Sequence, residues 1–368
     1  MPTDPTGREH LTPVKITDTS ATERGGFRKC RRQWFLTTAH RLDAQEGNPN
    51  FFLGNLVHKG LEVYYQCLKD GHPHGLSMET ALDTYQAKFD ADLEVVKEQL
   101  GGGFFWRQGE PAWRDIGALG FEMTQNYLDA EEGNPIFDEI VSVEVRVRVP
   151  IRNPKSGRRS GWLSVQTDLV GRKDGELCTA DHKTASRQPS IAHLDIDDQL
   201  TAEAFAVWLD GGEFPTRTIY NVLMKKAFGP PKELKAKKDG TRKFSKAKDQ
   251  ATTSALFRAT LAEAGLTEEG YEEILGHFEE VEAAGESKLF VRDESFRTPQ
   301  QLAAFERDLF YEFRDMKRVA AHPEEAYPNP RPENCNYCPV RAICTTIQDD
   351  GDVEAIIKGG FVVGDPRR

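Results

Sequence analysis

The sequence predicts an α/β fold with helical insertions and a C-terminal loop rich in cysteine. Three observations predict it. Valines at 141, 143, 145, 147 and 149 alternate through "EIVSVEVRVRVP", 139–150, the two-residue period of a strand. Leu53, Leu56, Val57, Leu61 and Tyr64 recur at helical spacing in "FFLGNLVHKGLEVYYQCLK", 51–69. Two more strands, a helix and a fourth strand follow, so the core reads helix, three strands, helix, strand.

Taken in order, residues 20–38 read as a helix behind a Ser/Thr cap, interrupted by Gly25 and Gly26. Residues 78–132 read as helical and acidic, broken by "GGGFFWRQGEP" at 101–111. After the valine strand, "GWLSVQTDLVGRKDG" (161–175) is a strand and turn, and "ELCTADHKT" (176–184) a third strand. "DDQLTAEAFAVWLD" (197–210) is a helix with an acidic cap, and "TRTIYNVLMKK" (216–226) the fourth strand. Residues 251–322 read as helix, and a proline-punctuated loop follows.

Length and composition set the frame. The 368 residues can bury a large core, as one elaborated domain or two smaller ones. Hydrophobic residues at 38% and charged residues at 29% suit a globular chain. No apolar run is long enough to cross a membrane, and "MPTDPTGREHLTPVK" lacks the apolar stretch of a signal peptide. A cytoplasmic protein without a membrane partner is expected. The net charge of −11 taken alone argues against nucleic acid. The distribution is uneven, however: residues 225–248 hold ten Lys/Arg and two acids.

The third strand ends on "ADHKT". Residues two apart in a strand share a face, so Asp181 and Lys183 point the same way. Asp168 lies near the end of the preceding strand. If the two strands form a hairpin, both acids converge, and two close carboxylates call for a cation between them. Mg²⁺ or Mn²⁺ is the expected occupant. Lys183 beside a metal-bound water can orient the nucleophile and stabilise charge on a phosphate. The competing reading is a surface ion pair at a strand end. His58, with Gly54 one turn earlier, sits on the helix that precedes this segment.

These landmarks resemble the RecB-like nucleases of the PD-(D/E)XK superfamily. The matching residues are "GNLVH" (54–58), Asp168 in "QTDLVGR", "ADHKT" (180–184) and "DDQL" (197–200). The resemblance implies a mixed sheet with helices on both faces. It implies that His58, Asp168 and Asp181 hold the metal, with the backbone carbonyl of His182 as a further ligand. Lys183 would act on the attacking water, and Gln199 would position the site or contact DNA. Two departures stand out. Glu203 takes the tyrosine position of the family's Q-L-x-x-Y, and "SVQTD" lacks a glycine two residues before the aspartate. Glu144, on the polar face of the first strand, reads either as a supporting acid or as a solvated strand residue. The expected organisation is a flexible lead at 1–19, a single nuclease domain at 20–346 and a tail at 347–368. Within the domain come a helical insert (70–135), a catalytic core (136–226), a basic loop (225–248), a helical region (251–322) and a cysteine loop (330–346).

"CNYCPVRAIC" places Cys335, Cys338 and Cys344 as C-x2-C-x5-C. Three thiolates need a fourth ligand, for zinc or for an iron–sulfur cube. Cys30 is the first candidate and Cys67 the second, while Cys178 reads as core. Spacing leaves zinc and iron open. The resemblance to AddB-type and CRISPR-adaptation nucleases implies a structural [4Fe–4S] cluster that staples the chain ends.

The expected activity is a metal-dependent DNA exonuclease that prefers single-stranded DNA or DNA ends. No Walker-type G-x4-G-K-[ST] occurs, so a helicase or recombination partner would be a separate chain. For the DNA path, the 225–248 run reads as a flap or as a solvated loop. Arg28, Lys29, Arg31 and Arg32 form a second basic cluster. Trp34, Phe104, Phe105 and Trp106 are candidates for stacking on bases or for packing the insert. The rival functions are a non-catalytic DNA-binding scaffold with a nuclease-like fold, and a zinc-stapled interaction domain.

Overall fold

The computed structural model describes residues 12–44, 49–99, 109–235, 242–283 and 289–364. Phe104, Phe105, Trp106 and the 236–241 part of the basic run lie outside the described residues. No described helix is long and apolar enough to cross a membrane.

The chain opens with β1 (Asp18–Thr19), α1 (Ala21–Lys29), α2 (Arg31–Trp34), a π-turn at Phe35–Ala39 and β2 (Leu42–Ala44). Ser20 and Glu23 form a capping box that starts α1. Three long helices follow: α3 (Pro49–Lys69), α4 (His74–Gln99) and α5 (Gly109–Gly133). Next come β3 (Glu139–Arg152), β4 (Arg159–Lys173), β5 (Glu176–Ala185), α6 (Asp198–Gly211) and β6 (Arg217–Met224). The described part of the 225–248 run holds a short strand pair. Its short strands β7 (Glu233–Leu234) and β8 (Lys243–Phe244) pair antiparallel. Phe244 is buried against α7 (Ser254–Glu263) and α8 (Glu272–Ala283).

One long strand of the main sheet departs from the expected helix. β9 (Phe290–Phe296) interrupts the 251–322 region read as helix, before α9 (Pro299–Ala321). It is the last strand of the sheet path, and its Arg292, Asp293 and Glu294 mask the strand period. The cysteine loop holds α10 (Pro332–Cys335) and α11 (Arg341–Gln348). The segment expected as a tail forms α12 (Val353–Gly360) and β10 (Phe361–Val363), and β10 pairs with β2.

The fold is a six-stranded mixed sheet flanked by helices, as the sequence predicts. β4 runs antiparallel to β3 and β5, β5 parallel to β6, and β6 antiparallel to β9. The parallel β5–β6 pair requires a crossover, and α6 supplies it. One core joins β3 and β4 to α1, α2, α6, α9 and α11 through Trp34, Phe205, Phe313 and Ile343. A second joins α3, α4 and α5 to the sheet through Leu56, Leu61, Tyr127, Leu169 and Ala180. The layers press hard at Gly171, where a Cβ would meet the Phe137 ring and come within 2.7 Å of the Glu139 carbonyl oxygen.

Candidate metal centre

The centre forms where β4 and β5 part. Leu169 faces Ala180 at the last paired position. The Asp168 carboxylate then replaces the strand partner: the His182 backbone N–H donates to its Oδ2 at 2.8 Å. His58 reaches over from α3, its Nδ1 3.6 Å from the same oxygen. Glu144 arrives from β3. Its φ is +49°, a left-handed conformation that a non-glycine residue holds only when its surroundings impose it. Gln166 Nε2 donates to Glu144 Oε2, and Arg146 Nε donates to Gln166 Oε1 at 3.0 Å. One ligand atom each from His58, Glu144 and Asp168 lies within 4.8 Å of the other two. Two carboxylates and an imidazole at that spacing make a donor set for a divalent cation.

Asp181 lies beside this triad rather than within it. Its Oδ1 accepts from Lys183 Nζ at 2.6 Å and from Gln199 Nε2 at 2.8 Å. Its Oδ2 is buried with no hydrogen-bond partner, which leaves one oxygen for a cation. Burial pushes the Asp181 carboxyl up to about 6, against the pull of Lys183. Burial, then the charge of Asp168, pushes Glu144 up to about 7. Both acids thus sit where a positive charge is wanted. Burial opposes the charge on Lys183, but Asp181 outweighs it and holds the ammonium protonated. In that state Lys183 has no lone pair to act as a base; it can donate hydrogen bonds and offer charge.

The neighbouring positions divide by face. Gln199 and Glu203, on the buried side of α6, join the Asp181–Lys183 pair. The His182 ring turns to the helical layer instead. It stacks on Tyr65 at 5.7 Å with a 3° interplanar angle, and its Nδ1 lies 2.7 Å from Asn221 Nδ2. Burial pushes this imidazole down to about 3, so it is neutral. Its backbone, not its ring, meets Asp168. A Cβ at Gly54 would meet Thr184 Oγ1 at 3.7 Å, an ordinary contact, so no close approach demands glycine there.

The fold and these side chains agree with one comparison. The profile of the PD-(D/E)XK nuclease superfamily matches residues 18–345. The chain belongs to that superfamily. PD-(D/E)XK nucleases are hydrolases that cut nucleic acid and use divalent metals, and the triad above offers donor atoms of the kind such a metal takes. No curated protein matches the chain. In this PD-(D/E)XK chain the residue that sequence reasoning undervalued is Glu144. It precedes Arg146 and Arg148 on a polar strand face, which leaves a supporting acid and a solvated residue both open; in the structure its carboxylate lies beside Asp168 and His58.

Cys30 lies near the start of the matched region, and Cys335, Cys338 and Cys344 lie near its end. Burial raises the Cys338 and Cys344 thiols, and Cys30 and Cys335 add to the effect in both. The Asn329 backbone N–H donates to Cys30 Sγ at 3.4 Å, and Asn334 Nδ2 donates to the Lys29 carbonyl at 3.2 Å. Among the described residues no three thiols form a group as tight as the His58 triad. Cys67 lies on α3 and Cys178 is buried in the second core.

Two expectations about DNA contacts change. Trp34 is 1% exposed and packs edge-on against Phe27 at 5.0 Å, so it cannot stack on a base. Arg28 pairs with Glu312 and Asp198, and Arg32 is buried with its Nε donating to the Ala326 carbonyl. The basic cluster around Cys30 is therefore partly structural. In the 225–248 hairpin, Arg242 and Lys248 pair with Glu233 and Glu273.

Proposed function

We propose that this chain is a RecB-like deoxyribonuclease that hydrolyses phosphodiester bonds from DNA ends, preferring single strands, with Mg²⁺ or Mn²⁺. The observation that carries the reading is the His58–Glu144–Asp168 triad, joined to a buried, unpartnered Asp181 oxygen beside a protonated lysine. His58, Glu144, Asp168 and Asp181 would hold the ion, with the His182 carbonyl as a further ligand. When bound, the cation polarises the phosphate and makes a bound water acidic enough to attack. Lys183 donates hydrogen bonds to that water or to the phosphate oxygens. Gln199 keeps Lys183 and Asp181 in place. The catalytic core spans 136–226 within a nuclease domain at 20–346.

Cys30, Cys335, Cys338 and Cys344 are the proposed ligands of a [4Fe–4S] cluster. All four are free thiols. Tetrahedral zinc with Zn–S of about 2.3 Å needs sulfurs about 3.8 Å apart. A cube gives each thiolate its own iron and so tolerates sulfurs farther apart. Iron and acid-labile sulfide in equal amounts in the purified protein would support the cluster; zinc alone would replace it. The cytoplasm and a separate helicase or recombination partner fit the same reading.

The deciding experiment offers end-labelled single- and double-stranded DNA, and a covalently closed single-stranded circle, with Mg²⁺ or Mn²⁺. Linear single strands should shorten progressively while the circle survives. Asp181→Ala should lower the rate by roughly 100-fold or more, as loss of a principal electrostatic group does. Cleavage of the circle overturns the end requirement. No cleavage of any substrate with either metal overturns the nuclease reading.

A further inference from the structure

Gln199 is held in an unusual way. Its Nε2 donates to Asp181 Oδ1 at 2.8 Å and to Glu203 Oε1 at 3.1 Å, while its Oε1 lies 3.4 Å from Lys183 Nζ. Only one orientation of the amide fits these neighbours. Flipped, its oxygen would face two carboxyl oxygens and its N–H₂ would face an ammonium.

Glu203 is the partner whose presence needs a reason. It is 1% exposed, in the middle of α6, one turn after Gln199. Burying a carboxyl group is costly unless its oxygens are satisfied. Its Oε2 has no hydrogen-bond partner, and its Oε1 serves Gln199. Among the described residues no cation forms an ion pair with it. An acid placed at such cost, with its one hydrogen bond aimed at the metal-side glutamine, does not look like packing.

We infer that Glu203 is a positioning residue for the hydrolytic site. With Asp181 it takes both amide protons of Gln199 and so turns the Gln199 oxygen to Lys183. This rests on the proposed nuclease reading. The clamp reaches the reacting atoms only through Gln199. Lys183 and Gln199 both occupy Asp181 Oδ1, which fixes the carboxylate and leaves Oδ2 as its unpartnered oxygen. Without the Glu203 acceptor the amide can rotate, and Asp181 and Lys183 lose a shared support.

The test compares Glu203→Leu, Glu203→Gln, Gln199→Ala and the Glu203→Leu/Gln199→Ala double variant. Mn²⁺ affinity is read by calorimetry, and kcat and KM on linear single-stranded DNA are read separately. Removing an outer partner of a metal ligand typically costs roughly 10- to 100-fold in affinity or activity. Glu203→Leu should weaken Mn²⁺ binding and lower kcat in that range with KM little changed, because Glu203 touches no substrate. Glu203→Gln keeps a carbonyl acceptor and should recover most of both losses. The double variant should be no worse than Gln199→Ala alone, since the effect runs through that amide. Thermal unfolding separates this from a structural role: leucine in place of a buried acid should melt at the same temperature or higher. Losses that add in the double variant, or a Glu203→Leu chain with unchanged Mn²⁺ affinity and kcat, overturn the clamp alone. A parent chain that binds no Mn²⁺ overturns the nuclease reading and the clamp with it.

Discussion

Glu144 sits at φ +49° in the middle of a long strand, and that strain has a chemical counterpart. The same residue carries a carboxyl pushed up to about 7, first by burial and then by Asp168. A cation must displace its proton, so Mn²⁺ affinity should fall about ten-fold per pH unit below about pH 7 for each proton displaced. The sign for stability follows from linkage. The folded-state value lies above the ordinary 4.5, so the metal-free protein binds the proton more tightly folded than unfolded. Its stability from this group is therefore present at low pH and lost as pH rises through about 7. Bound metal reverses the trend. The rise in melting temperature caused by Mn²⁺ should be larger at about pH 8 than at about pH 5.5. In Glu144→Gln part of the affinity should disappear, and the pH dependence should weaken to what Asp181, raised to about 6, contributes. Equal Mn²⁺ stabilisation at the two pH values would remove Glu144 from the ligand set. Alternation already places Glu144 on the face of Arg146 and, in register, of Asp168, but it reports neither the positive φ nor the approach of His58, so a supporting acid and a solvated residue read alike. Asp168, Asp181 and Lys183 stand out in the sequence for the opposite reason: they are charges set inside otherwise apolar strands.

At the scale of elements, the sheet and the helical insert are tied by buried polar groups rather than by packing alone. Asn221 on β6 donates to the Tyr127 hydroxyl of α5 at 3.0 Å and lies beside the His182 ring. Tyr127 and Tyr65 hydroxyls lie 2.9 Å apart, joining α5 to α3. Arg292 of β9 pairs with the buried Glu131 of α5 and donates to the Tyr127 hydroxyl at 3.1 Å. The backbone side of this network is His182, whose N–H holds Asp168. Asn221→Leu takes one of three partners from the Tyr127 hydroxyl and leaves the imidazole Nδ1 without its neighbour, and should cost roughly 1–3 kcal/mol in urea unfolding. It should also lower kcat, because the β5 end that carries Asp181 loses its backing. A stable Asn221→Leu chain with full activity would show that packing alone seats α3 on the sheet. β9, which supplies Arg292, was invisible in the sequence. An edge strand need not bury both faces, and its charges read as helix in an acidic, helical neighbourhood. β3 to β6 were legible because buried strands must keep their apolar positions at fixed period.

Across the whole molecule, the N-terminal and C-terminal segments meet at two places. β10 pairs with β2, and the cysteine loop meets the C-terminal end of α1 at Cys30. α1 is also the element that grips α6. Arg24, 1% exposed, lies 2.9 Å from Asp198 and 2.6 Å from Glu312 of α9, and Arg28 pairs with the same two acids. Asp198 adjoins Gln199, so the cysteine end and the metal centre share one mechanical link through α1 and α6. Closing a loop of about 300 residues with sulfur–metal bonds would restrict the unfolded chain by about 6 kcal/mol at most in the chain-entropy treatment. Cys30→Ser, or extraction of the metal by a chelator, should therefore lower the melting temperature and make Cys335–Cys344 newly reactive to thiol reagents. Arg24 and Arg28 still hold α6 through their own ion pairs. DNA cleavage with Mn²⁺ should thus persist in Cys30→Ser at temperatures below its new midpoint, with Mn²⁺ affinity unchanged. If cleavage vanishes while the fold is intact, the cysteine set acts on the site directly rather than as a staple. If neither the melting temperature nor thiol reactivity moves, Cys30 holds no metal and the closure of the chain rests on β2–β10 and the α1 ion pairs alone.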